Sequence, residues 1–108
     1  MFLLIKEKAG EEILKEVSED LNGYIKFVVD VEQEILAAGG KRHFEGEKLL
    51  LDDGSKQENL WGGGLDSTGE MDFDSIINLR PSQGNPSREV LDTKLRERIT
   101  EIVHRLLK

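Results

Sequence analysis

The chain has no cysteine, two prolines, one tryptophan and one tyrosine. Without cysteine, disulfide frameworks, thiolate metal sites and cysteine nucleophiles are excluded, and nothing asks for an oxidising compartment; the expected location is cytoplasmic. Long hydrophobic runs are missing as well. The N-terminal stretch Phe2 to Ile5 gives way at once to Lys6, Glu7 and Lys8, too short for a signal peptide or a membrane span, so no membrane association is expected. Positive charge is scarce: Lys plus Arg number 15 against 22 Asp plus Glu, a net charge of −7 that repels nucleic-acid phosphates and anionic lipid. No nucleic-acid partner is expected, the exception being a local patch if Lys41, Arg42, Arg80, Arg88, Arg96 and Arg98 cluster on folding.

What remains is an ordinary globular composition, 108 residues with 37% hydrophobic, enough for one core and one domain over residues 1–108. Phe2 to Lys6 reads as a strand. Ile13, Leu14, Val17 and Leu21 form an apolar stripe at helical spacing, behind Glu11 and Glu12, which suit the positive end of a helix dipole, and predict a helix over 10–21. Tyr24 to Val31 and Glu34 to Ala38 predict a hairpin, although Glu32-Gln33 lacks the usual turn residues and the loop is expected to be longer or shifted. His43 to Gly54 reads as a short helix, with a strand entering a turn as the alternative. Gln57 to Trp61 and Phe73 to Arg80 read as two strands joined by a flexible glycine-rich tip, pairing as a long hairpin. Asp92 caps a final helix whose apolar face runs through Leu91, Leu95, Ile99, Ile102, Val103 and Leu106, with Glu101 and Arg105 as an i,i+4 pair. The order β-α-β-β-α-β-β-α implies an α+β fold: a four- to five-stranded, mainly antiparallel sheet with helices packed on one face.

Two strings stand out, Asp53-Gly54-Ser55-Lys56-Gln57 followed by Leu60-Trp61-Gly62, and Ile77-Asn78-Leu79-Arg80-Pro81-Ser82-Gln83-Gly84-Asn85. With Val29-Asp30-Val31-Glu32 and Gly39-Gly40 ahead of His43, they resemble a family of small archaeal and bacterial proteins classed as a domain of unknown function. The resemblance covers nearly the whole chain and implies no activity, substrate or cofactor.

Function candidates lie on the polar strings. Ser55, Gln57, Asn78, Arg80, Ser82, Gln83, Asn85 and Arg88 fall on strand ends and loops that the expected hairpin brings together. Arg80 offers a planar fork of donors, Ser82 and Gln83 offer hydroxyl and amide groups, and Gly84 frees backbone N–H groups to face a carboxylate or phosphate. The structural alternative is that Arg80 caps helix carbonyls or pairs with Asp74 or Asp92, while Ser82, Gln83 and Asn85 satisfy the loop's own backbone. Trp61 is either core or a stacking surface for a ligand or partner. His43 and Glu47 share the i,i+4 spacing of two metal ligands, a weak signal that lacks the third ligand a hydrolytic zinc site needs. No nucleophile motif or phosphate-binding loop is present. Two readings of different class follow. One is a domain binding a small anionic ligand through the Arg80 to Arg88 loop; the other is a protein-interaction or self-associating module without catalysis, forming a homo-oligomer in the second case. No cofactor and no reaction class follow from the residues.

Overall fold

A computed structural model describes all residues 1–108. The elements are β1 (Leu3–Ile5), α1 (Glu11–Ser18), β2 (Ile25–Asp30), β3 (Ile35–Gly39), α2 (His43–Asp52), β4 (Leu60–Leu65), β5 (Met71–Asp72) and α3 (Thr93–Leu107). They form a five-stranded, wholly antiparallel sheet of order β1-β3-β2-β4-β5. The fold is α+β, in the expected order of elements.

The β-branched run of β2 puts it at the centre, where Val28 lies between Ala37 on one side and Gly62 on the other. The hairpin to β3 is closed by a four-residue connection, because the Asp30 carboxylate accepts the N–H groups of Glu32 and Gln33, each at 2.9 Å, and Glu34 takes a left-handed φ of 58°. Helix α2 stops where expected, with Gly54 at φ 107°. Helix α3 is capped by Asp92 Oδ1, which accepts the N–H groups of Lys94 and Leu95. Leu91, just before it, is exposed and does not belong to the buried face. Arg105 reaches Glu34 at 3.6 Å instead of pairing with Glu101.

Period-2 alternation sends the strands' side chains to two separate cores. Phe27, Val29, Leu36, Ala38, Trp61 and Leu65 pack against α1 and α3 through Val17, Ile99, Ile102, Val103 and Leu106. On the opposite face, Phe2, Val28, Ile35, Ala37 and Leu60 pack against Leu50 and Leu49 of α2. The expectation of helices on one face only is thereby corrected. With both faces of the central strands apolar, each face needs a cover, and burying each large side chain contributes about 1.5–3 kcal/mol.

Two strand assignments also change. Residues 57–59 form a 3₁₀ turn and β4 begins at Leu60, so the glycine run 62–64 is strand and not a hairpin tip. Residues 73–80 are not a strand: only Met71 and Asp72 pair with β4, and residues 76–78 make a second 3₁₀ turn that leaves Ile76 exposed. The reason lies in β4 itself. A Cβ at Gly63 would meet the Asp72 carbonyl and the Phe27 ring, and one at Gly64 would meet the Tyr24 hydroxyl. Glycine is required there by the close approach of neighbours, not by flexibility.

Candidate functional site

Because β5 pairs only with Gly64 and Leu65, the outer edge of β4 from Leu60 to Gly62 has no neighbouring strand. The segment 73–90 covers it with side chains. Asn78, fully buried, accepts the Gly62 N–H through Oδ1 at 2.8 Å, and its Nδ2 donates to the carbonyls of Gly62, Phe73 and Arg88 at 2.9–3.0 Å. Arg80 stacks its guanidinium on the Trp61 ring, 3.9 Å from the centroid, and donates to the carbonyls of Gln57 (2.7 Å) and Leu60. Asn85 does the same for the loop: its amide donates to the carbonyls of Asn78, Ser87 and Glu89 and accepts the Leu91 N–H.

These contacts account for most of the polar candidates. Trp61, Asn78, Arg80, Gln83 and Asn85 do converge, with Gln83 bridging Arg80 and the Glu58 carbonyl, while Gln57 is exposed and joins them only through its backbone carbonyl. Ser55 lies apart, donating to Asp30 Oδ2 at 2.6 Å in the buried hairpin network. Ser82 is exposed, and Arg88 faces Asp74 at 3.3 Å on the surface. The carbonyls that Arg80 caps belong to a strand and a 3₁₀ turn, not to a helix. The N–H groups of Gln83, Gly84 and Asn85 all bond inward, to the carbonyls of Arg80 and Pro81. Burial lowers the pKa of Arg80, an effect that Glu47 opposes. The Nε of Arg80 is buried without a partner.

His43 Nε2 lies 2.7 Å from the Gly63 carbonyl, so that nitrogen carries the hydrogen and the ring is a donor. Its pKa is lowered, chiefly by burial. Glu47 stands one turn on, and no group of three or more His, Asp or Glu side chains is arranged to hold a metal. Two further polar contacts have no local signal in the sequence. Tyr24 donates to Asp72 Oδ2 at 2.5 Å, and burial with that bond raises its pKa, so the phenol stays protonated. Asp30 is a fully buried carboxylate holding Ser55 and the 31–34 turn. The lone tyrosine was visible; its partner depended on the β4–β5 register.

The other end of the sheet is open. β1 pairs with β3 on one side and has no strand on the other. A cleft of about 460 Å³ runs along residues 3–10 and Ile13. A second, of about 370 Å³, lies on the α2 side between Met1, Phe2, Phe44 and Leu49. Phe44 is 52% exposed, Met1 74% and Ile13 36%. Both clefts are predominantly apolar in lining, and neither touches the Arg80 to Arg88 loop.

Fold and site together define a small single-sheet α+β domain with one edge sealed by side chains and one left open. The chain belongs to the family described as "Protein of unknown function (DUF5674)", whose model matches residues 3–106. No curated protein and no solved structure matches it. No helix is long and apolar enough to cross a membrane.

Proposed function

We propose that this domain is an interaction module that accepts an extended, apolar chain segment along the open edge of β1. The observation that carries the reading is the contrast between the two edges. At β4, where a strand would fit, Asn78 and Arg80 occupy the backbone groups; at β1 nothing does. Natural edges are commonly guarded by shortness, charge, a proline or a bulge; β1 is short, at three residues, and Lys6 follows it, but Leu3-Leu4-Ile5 itself carries no charge, proline or bulge and is flanked by predominantly apolar clefts. Strand addition would use the backbone for affinity and the clefts for side-chain selection. An acidic chain without cysteine fits a cytoplasmic setting for such a module.

A second reading, a small anion held at the Arg80 to Arg88 loop, rests on the unpartnered Nε of Arg80 and the exposed Ser82 and Arg88. It is the weaker because the other donors of that loop already bond to carbonyls. One experiment separates the two: amide NMR of the labelled protein, titrated with a synthetic alternating Val/Thr strand peptide and, separately, with inorganic phosphate. Shifts at Leu3 to Ile5 and Ile13 with the peptide support the edge reading. Shifts at residues 80–88 with phosphate, and none at β1 with the peptide, would replace it with the anion reading.

A further inference from the structure

Resting on that reading of the β1 edge, we propose that its occupant is a second copy of this chain, paired antiparallel through β1 so that two five-stranded sheets become one. Two identical edge strands lying side by side and antiparallel are related by a two-fold axis normal to the sheet. Such an axis keeps each face on its own side, so a residue pointing to one face meets only a residue of the partner that points to the same face. Within β1 the axis must therefore pass through Leu3, Leu4 or Ile5.

The side chains choose among these. An axis at Ile5 sets Leu4 against the partner's Lys6 and Leu3 against the partner's Glu7, so that only Ile5 has a strand residue opposite it. An axis at Leu3 leaves Ile5 opposite the partner's Met1, outside the strand. An axis at Leu4 places every strand residue opposite a strand residue, with Lys6 and Glu7, beyond the strand, facing the partner's Phe2 and Met1. Leu3 then meets the partner's Ile5 on the face of α1 and α3, where Ile5 is core and Leu3 packs beside it. Leu4 meets the partner's Leu4 on the face of α2. The same axis brings each cleft next to its symmetry copy, so Ile13 on one face and Phe44 on the other, both exposed in the single chain, gain apolar cover.

The size of the surface sets the strength. The clefts are lined by nine and six residues, fewer than the roughly 20–30 a side of a standard stable interface. The pairing is therefore a weak, concentration-dependent dimer, on the order of micromolar or weaker in Kd.

The chain has no cysteine, which allows a direct test of the axis. Across it, Leu4 and its copy have Cα atoms about 4.5–5.5 Å apart, within the range a disulfide spans, whereas two copies of Leu3 sit diagonally at about 7–8 Å. Oxidation of Leu4→Cys is expected to give covalent dimer at least about ten times faster than oxidation of Leu3→Cys. Sedimentation of the unmodified protein is expected to show mass rising with concentration, and Leu4→Lys, checked for unchanged circular dichroism, is expected to stay a single chain. Equal cross-linking of the two cysteine variants, or a single-chain mass at every concentration, overturns the proposal. In that event, β1 amide shifts with the strand peptide would leave the interaction reading standing with another occupant. No shift with the peptide would remove both.

Discussion

Asn78 and Arg80 do with side chains what a neighbouring strand does with its backbone. A carboxamide carries one acceptor and two donors on a short arm, which matches the N–H and C=O of one strand residue, and Asn78 uses both on Gly62. Removing it leaves a buried N–H and several buried carbonyls unsatisfied, so Asn78→Ala should cost about 2–4 kcal/mol in urea unfolding. Arg80→Ala loses three charge-assisted bonds, to the Gln57 and Leu60 carbonyls and the Gln83 amide oxygen, and the stack on Trp61; about 2 kcal/mol is expected, with Arg80→Lys recovering less than half, since an ammonium lacks the planar fork. An Arg80→Ala protein as stable as the parent would contradict the edge-sealing role.

His43 contributes a pH dependence at the same scale. Its folded pKa lies below the ordinary 6.5 because burial disfavours the imidazolium, with Lys26 adding to this and the Gly63 carbonyl, Asp72 and Asp74 opposing it. Above about 6.5 both states hold the ring neutral, and His43 makes stability independent of pH. As pH falls below that, the unfolded chain takes up the proton first, so stability declines until the folded pKa is passed. Unfolding free energies between pH 7.5 and pH 5.5, approximately the window in which histidine titrates, should fall in the parent and fall less in His43→Gln. Parallel slopes in the two proteins would show that other groups govern the window.

Among the elements, β4 is the one whose nature was hidden. Its Leu60-Trp61 start was legible as strand, but three successive glycines have low strand propensity and read as a flexible tip. What makes them strand is tertiary. Phe27 from β2, the β5 backbone and Tyr24 approach so closely that only glycine fits. The converse holds for 73–80, whose β-branched Ile76 and Ile77 imitate a strand while Asn78, in the middle, is the residue that seals the edge. By contrast α3 was legible to within a residue, because its cap and its apolar face are local features. Gly63→Ala should be more damaging than Gly62→Ala, costing about 3 kcal/mol or more, since the β5 carbonyl and the buried Phe27 ring cannot both retreat. At Gly62 the added methyl meets the Ser75 and His43 side chains, which can shift more readily, and a smaller loss is expected by the same unfolding measurement. Equal losses at the two positions would argue against close approach as the cause.

For the whole molecule, the element order was readable, but the distribution of helices over two faces was not, because an alternating core pattern fixes which residues share a face without saying which helix covers it. Five of the candidate polar residues converge, and their donors turn toward their own chain because β5 stops short of Leu60 to Gly62 and leaves that edge for side chains to cover. Net charge provides a test at this scale. Each chain carries −7, so two copies meeting at β1 repel, and the apolar edge must overcome that repulsion. Raising salt from about 20 mM to about 300 mM shortens the Debye length from roughly 20 Å to roughly 6 Å and removes most of it. Dimerisation through β1 is therefore expected to tighten, by about three-fold or more in Kd measured by sedimentation. Anion binding at Arg80 and Arg88 has the opposite sign, because the same salt screens the attraction between guanidinium and phosphate. A dimer that weakens with salt would mean that charge pairs, not the Leu3-Leu4-Ile5 edge, hold the copies together.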